Sequence, residues 1–87
     1  MTQPKIILFE DGDFGGNSLV LTEATSKLEN HSFNDIISSI KVESGTWIVY
    51  DDENFCGKSY LLKPGSYPNA QSWGGKDDEL SSVKPAD

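Results

Sequence analysis

The feature that most constrains the fold of this 87-residue chain is an internal repeat of about 40 residues. Residues 9–16 and 50–57 share the order aromatic, four residues, aromatic, one residue, glycine, at an offset of 41 positions. Residues 34–39 and 77–82 share the order Asx-Asp-x-x-Ser-Ser at an offset of 43. Two matches at nearly equal offsets predict a tandem duplication within one domain, with motifs at about 4–44 and 45–85 and a seam near Ser44 and Gly45.

Within each repeat the local pattern is typical of β-strands. No segment carries apolar residues at i, i+3, i+4 and i+7 over three turns, so an amphipathic helix is not expected. Short runs rich in β-branched, aromatic and alternating apolar residues predict strands within 5–10, 18–22, 36–42, 46–50, 59–62 and 80–83. Because turn residues such as Gly, Asn and Asp separate these runs, the sequence predicts an all-β sandwich or barrel.

Charge and composition exclude several classes of function. Fourteen acidic side chains against seven basic ones give a net charge of −7, which disfavours nucleic acid as a partner. A single Cys cannot form an intrachain disulfide, and one Cys with one His supplies too few ligands for a Cys/His zinc site. The longest apolar run, residues 6–9, is far shorter than the roughly 20 residues that span a bilayer, so no membrane association is expected. With no signal peptide recognised, the expected location is the cytoplasm.

The aromatic motif predicts a hairpin that folds back on its own sheet. Gly16 and Gly57 stand two positions after the second aromatic residue, where glycine can adopt a positive φ without steric cost. The two aromatic rings of each copy are expected to pack against each other. A tight hairpin is the simplest interpretation; the functional alternative is that the turn also presents main-chain carbonyl groups of Glu10 and Asp51 to a cation.

The Asx-Asp-x-x-Ser-Ser motif gathers carboxylates, hydroxyls and carbonyls at the start of a predicted strand. Such hard oxygen ligands favour calcium over transition metals. A single copy is more often structural, because Asx and Ser side chains bond to nearby main chain in turns. Two copies at matched positions of a repeat strengthen the calcium hypothesis, although the loop pattern of helix-loop-helix calcium sites is absent.

Together the two motifs resemble the Greek-key motifs of the calcium-binding βγ-crystallin family over residues 5–84. Residues 64–67 and 72–75 resemble the tyrosine corner and tryptophan segment of that family's second, B-type motif. The sequence departs from the pattern at Cys56, where the first repeat has Gly15. The resemblance implies a sandwich of two four-stranded antiparallel sheets, in which each motif lends one strand to the partner sheet.

The resemblance also implies two calcium sites per chain, each with ligands from both motifs. Ser39 and Ser82 would tie each hairpin to its sheet instead of binding metal. The implied ligands are hydroxyl groups of Ser38 and Ser81, carboxylates of Asp35 and Asp78, and main-chain carbonyls of Ile36, Glu79, Glu10 and Asp51. With one or two carboxylates per site, we expect moderate calcium affinity.

These observations favour a calcium-binding, non-enzymatic structural protein, a monomer or weak homodimer, with an optical role in lens or pigment cells or a calcium-buffering role. The alternative is a module whose calcium end docks a protein or glycan. Catalysis by Cys56 and His31 is disfavoured because each is solitary, and the carboxylates near the hairpins fit an acidic surface. Trp47 and Trp73 are expected in the core, although a sugar-binding platform stays open.

Overall fold

The computed structural model describes residues 3–28, 37–74 and 80–86. These residues form seven strands: β1 (Lys5–Phe9), β2 (Ser18–Leu21), β3 (Ser39–Ser44), β4 (Trp47–Asp52), β5 (Cys56–Leu62), β6 (Gly65–Tyr67) and β7 (Ser82–Pro85). Short 3₁₀ helices lie at Gly12–Phe14 and Ala70–Trp73, and the described residues include no α-helix. Six strands overlap the predicted segments, whereas β6 was not predicted because its three residues lack an apolar alternation.

The strands form two antiparallel sheets, which confirms the all-β sandwich. One sheet has the order β2-β1-β3-β6 and the other has the order β5-β4-β7. Strand β6 belongs to the second repeat but pairs with β3 of the first, from Ile40 opposite Tyr67 to Val42 opposite Gly65. In the described residues, therefore, the second repeat does lend one strand to the sheet of the first.

The reciprocal exchange is shorter than the resemblance implied. Among the described residues the second sheet has three strands, and a single bridge between Thr25 and Val83 stands where a fourth strand was expected. The main chain of Thr25 bonds to Val83 in both directions, at 2.8 and 3.0 Å between nitrogen and oxygen. One bridge is sufficient to join the first repeat to the sheet of the second.

The core lies between the two sheets and follows the alternation of the strands. In β1, Ile6 and Leu8 are fully buried, whereas Ile7 on the opposite face is only half-buried. Trp47 is fully buried, and its indole Nε1–H donates to the Ser44 carbonyl at 3.2 Å. The buried apolar residues of the described chain are Ile6, Leu8, Leu21, Leu28, Ile37, Ile40, Val42, Trp47, Val49, Leu62, Ala70, Trp73, Leu80 and Val83. They come from both repeats, so neither repeat has a core of its own among these residues.

Two folded hairpins, residues 9–16 and 50–57, share an unusual backbone conformation. Asp13 and Phe14 have φ of 54° and 62°, and Asn54 and Phe55 both have φ of 59°. The left-handed region costs a residue with a side chain about 1–2 kcal/mol. The predicted positive φ at the motif glycines is also confirmed, at 73° for Gly16 and 78° for Gly57.

Aromatic and cationic contacts hold each hairpin against its sheet. The predicted ring packing is confirmed, because Phe9 and Phe14 meet edge to face at 5.5 Å between centroids and Tyr50 and Phe55 do so at 5.7 Å. Lysines at matched positions cover the second ring of each pair. Lys41 Nζ lies 4.6 Å from the Phe14 centroid, and Lys84 Nζ lies 5.4 Å from that of Phe55. Such contacts stabilise by about 0.5–1 kcal/mol at exposed sites.

A buried serine hydroxyl closes each hairpin, as the resemblance implied. Ser39 Oγ donates to the Asp11 carbonyl at 2.5 Å and accepts the Phe14 N–H at 2.9 Å. Ser82 Oγ acts in the same way in the second repeat, donating to the Asp52 carbonyl at 2.6 Å and accepting the Phe55 N–H at 3.1 Å. Each hydroxyl thus satisfies one donor and one acceptor of the hairpin main chain.

The tyrosine corner and tryptophan segment are both present. Tyr67 Oη donates to the Lys63 carbonyl at 2.7 Å. The Asn69 side chain accepts the Ser72 N–H at 3.0 Å and caps the second 3₁₀ helix, which ends at the buried Trp73. Because Trp47 and Trp73 are at most 7% exposed, neither offers the open ring face that a sugar-binding platform needs.

We predict that Ser39→Ala and Ser82→Ala each lower the free energy of unfolding by about 1–3 kcal/mol, because a partly buried N–H and a partly buried carbonyl lose their partner. Denaturant titration measures the change. Ser59→Ala is the matched control: Ser59 is exposed on β5, so its truncation should change the free energy by less than about 0.5 kcal/mol. A Ser39→Ala effect no larger than that of the control would show that the hydroxyl does not hold the hairpin.

Candidate functional site

The structure describes half of the residues proposed as calcium ligands. Glu10, Ser38, Asp51 and Ser81 lie in the described ranges, and Asp35, Ile36, Asp78 and Glu79 lie outside them. The second group remains a prediction from the sequence. The first group tests whether the fold brings the hairpin residues and the serines together.

A main-chain hydrogen bond places each candidate serine beside the start of a hairpin. In the first sheet Phe9 lies opposite Ser39, and the Ser38 N–H donates to the Phe9 carbonyl at 3.0 Å. This bond departs by one residue from the strand register, so Ser38 as well as Ser39 lies beside Phe9, and Glu10 is the next residue of the hairpin. Residues far apart in the sequence thus become neighbours where β1 ends and β3 begins.

The second repeat has the same arrangement. Tyr50 lies opposite Ser82, and the Ser81 N–H donates to the Tyr50 carbonyl at 2.9 Å. Ser81 and Ser82 thus both lie beside Tyr50, and Asp51 is the next residue of the hairpin. The two candidate positions are therefore built by the same backbone contact, one at an end of the β1–β3 pair and one at an end of the β4–β7 pair.

Local bonds fix the beginning of the first hairpin. The Glu10 N–H donates to the Asn17 carbonyl at 3.0 Å, and Glu10 Oε1 accepts the Asn17 N–H at 3.4 Å. The carboxylate of Glu10 is thus already in contact with the hairpin. The role of Glu10 as a carbonyl ligand stays a prediction from the sequence.

The donor chemistry fits calcium and limits how it could be bound. Within residues 3–28, 37–74 and 80–86, no three His, Cys, Asp or Glu side chains come together as a metal-binding group. A site at Glu10 and Ser38, or at Asp51 and Ser81, would therefore depend on carbonyl and hydroxyl oxygens, supplemented by groups from the segments outside those ranges. Calcium accepts such mixed neutral and charged oxygen ligands, whereas transition metals prefer nitrogen and sulfur.

The hairpins carry acidic side chains around these positions. Asp11 and Asp13 in the first hairpin and Asp52 in the second are exposed. The ion pair of Lys5 with Glu43, at 3.4 Å, lies at the opposite end of β1 and does not neutralise them. A negative surface beside the candidate positions attracts a divalent cation.

Catalysis gains no support from the described residues. Cys56 is exposed, and its thiol contacts the Asn54 carbonyl at 3.4 Å. Its suggested partner, His31, lies outside the described residues. No helix in the described part of the chain is long and apolar enough to cross a membrane.

Sequence reasoning missed the main-chain contacts that join each hairpin to the other repeat. The Asp13 N–H donates to the Pro68 carbonyl, and the Asn54 N–H donates to the Ser26 carbonyl, both at 2.8 Å. No side-chain pattern could have predicted them, because the acceptors are carbonyl groups that every residue carries. Each hairpin is therefore hydrogen-bonded both to its own sheet and to the other repeat.

Comparison with known proteins agrees with the fold and the repeat. The sequence model of the family described as Beta/Gamma crystallin matches residues 5–86. The chain is 68% identical to the beta/gamma-crystallin of Ciona intestinalis over 80 residues, covering 92% of this chain and 95% of that protein. It is 37% identical over 81 residues to gamma-crystallin N-A of Danio rerio, covering 93% of this chain but only 44% of that longer protein.

Solved structures give the same result. A βγ-crystallin from Ciona intestinalis superposes with a TM-score of 0.93 at 67% identity, covering 93% of this chain and 98% of the other. An archaeal βγ-crystallin superposes with a TM-score of 0.91 at 37% identity, covering 97% and 99% of the two chains. The family match, the repeated hairpins and the strand exchange lead to one conclusion: the chain belongs to the βγ-crystallin family.

Proposed function

We propose that this crystallin is a non-enzymatic structural protein that binds two calcium ions, and that the bound ions stabilise its fold. The observation that carries the proposal is a repeated main-chain hydrogen bond, from Ser38 to Phe9 and from Ser81 to Tyr50, which places each serine one residue from the proposed carbonyl ligand of its hairpin. A carbonyl and a hydroxyl from two different chain segments then flank each position. The carboxylates of Asp35 and Asp78 would supply charge, with carbonyls of Ile36 and Glu79.

The physical role of the ions follows from where the ligands lie. Each proposed site lies between two chain segments. One is the start of a hairpin, just after a strand ends, and the other is a serine just before another strand begins. An ion that binds only the folded arrangement stabilises it by RT ln(1 + [Ca]/Kd), about 2.7 kcal/mol at a hundredfold excess over Kd. Two ions would also reduce the net charge from −7 to about −3, which relieves repulsion between the acidic hairpins.

We predict that calcium-free protein binds two ions per chain and that its melting temperature rises on the order of 10 °C or more near saturation. Isothermal titration after chelator treatment counts the ions, and calorimetric scanning measures the melting temperature. Magnesium is the control cation, because its strict octahedral geometry suits such carbonyl-rich sites poorly. An absence of both heat and thermal shift at millimolar calcium would contradict the proposal.

We further predict that Ser38→Arg and Ser81→Arg each reduce the stoichiometry from two ions to one, because each places a cation where a hydroxyl ligand is proposed. Since Ser81 is buried, Ser81→Ala is a milder companion variant that removes the hydroxyl without adding bulk. Ser59→Arg on the exposed face of β5 is the matched control and should leave both sites intact. Two retained ions in a folded Ser38→Arg or Ser81→Arg variant would refute the assignment of ligands.

A further inference from the structure

Residues 25–28 of the first repeat make a set of main-chain contacts with the second. Thr25 bridges Val83 in both directions, as described above. The next residue, Ser26, accepts the Asn54 N–H of the second hairpin at 2.8 Å. This segment therefore touches both a strand and a hairpin of the other repeat.

The last residue of the segment contacts a proposed calcium ligand directly. The N–H of Leu28, whose side chain is fully buried in the core, donates to the Ser81 carbonyl at 2.8 Å. The Ser81 N–H in turn donates to the Tyr50 carbonyl of its own repeat at 2.9 Å. Both peptide groups that flank the Cα of Ser81 are thus hydrogen-bonded, one by each repeat.

Holding both flanking peptide groups fixes φ and ψ at Ser81 and hence the direction of its Cα–Cβ bond. We propose that Leu28 is a positioning residue for the calcium site that contains Ser81, acting through its main-chain N–H. This inference rests on the proposed calcium function and adds that a main-chain donor outside the ligand set, the Leu28 N–H, sets the affinity of the site that contains Ser81. If the contact is lost, a smaller fraction of molecules has Ser81 in the conformation that binds calcium. The apparent dissociation constant for calcium then rises by the inverse of that fraction.

The experiment replaces one N–H at a time and leaves every side chain unchanged. Full-length protein is made by chemical synthesis with an ester in place of the amide at Leu28, which removes the donor to Ser81. The matched control carries the ester at Thr25, which removes a hydrogen bond of the same 2.8 Å length to Val83, a residue with no proposed ligand role. A Leu28→Met variant keeps the N–H while altering core packing.

Calcium titration of the Leu28 ester should show one site weakened about tenfold, corresponding to one lost hydrogen bond. The other site should stay within about twofold of the unmodified protein. The Thr25 ester and Leu28→Met should lower the melting temperature, while both calcium dissociation constants stay within about twofold of those of the unmodified protein. Ser81→Ala identifies which constant belongs to the affected site. In calcium-free protein, the amides of Ser81 and Ser82 should exchange with solvent faster in the Leu28 ester than in the Thr25 ester.

The positioning role of Leu28 would be overturned if both calcium dissociation constants were unchanged in the Leu28 ester. It would also be overturned if the Thr25 ester weakened calcium binding equally. Either result would leave the proposed calcium function intact. An unmodified chain that binds no calcium would overturn both proposals. Selective weakening of the Ser81 site in the Leu28 ester alone would establish that the first repeat positions it.

Discussion

The structure depends on a serine hydroxyl that closes each folded hairpin. Ser39 and Ser82 each join an N–H and a carbonyl across a backbone that turns through left-handed conformations. Without that bridge the hairpin would have to satisfy its polar groups with water and would lose the compensation for its strained φ angles. The aromatic pairs and the lysines above them add attraction, but the hydroxyl bonds are the contacts that fix direction.

Because the hairpins are fixed, neighbouring residues acquire a defined place. Glu10 and Asp51 begin the two hairpins, and each directly follows an aromatic residue whose carbonyl accepts the N–H of the serine that precedes the closing serine. The two adjacent serines therefore differ in what they contact: the second secures the hairpin through its hydroxyl, and the first is the one for which we propose a role in calcium binding.

The two repeats are not independent units. Strand β6 pairs with β3, Thr25 bridges Val83, and each hairpin donates to a carbonyl of the other repeat. The buried residues follow the same exchange, with Leu28 and Trp47 in one continuous core. A single repeat would leave both its apolar face and several main-chain groups exposed, so cooperative unfolding of the whole domain is expected.

The sequence by itself determined the duplication, the all-β fold class, the aromatic pairing in each hairpin and the position of the motif glycines. These features depend on local residue types and their spacing. It also identified Ser39 and Ser82 as hairpin braces through a family resemblance. Only the tertiary structure decided that β6 joins the first sheet and that Thr25 makes a single bridge where a strand was expected. It alone decided that Pro68, Ser26 and Ser81 accept main-chain donors from the other repeat. The physical reason is that carbonyl and N–H groups are identical along the chain, so their partners depend on how distant segments pack and not on which side chains they carry.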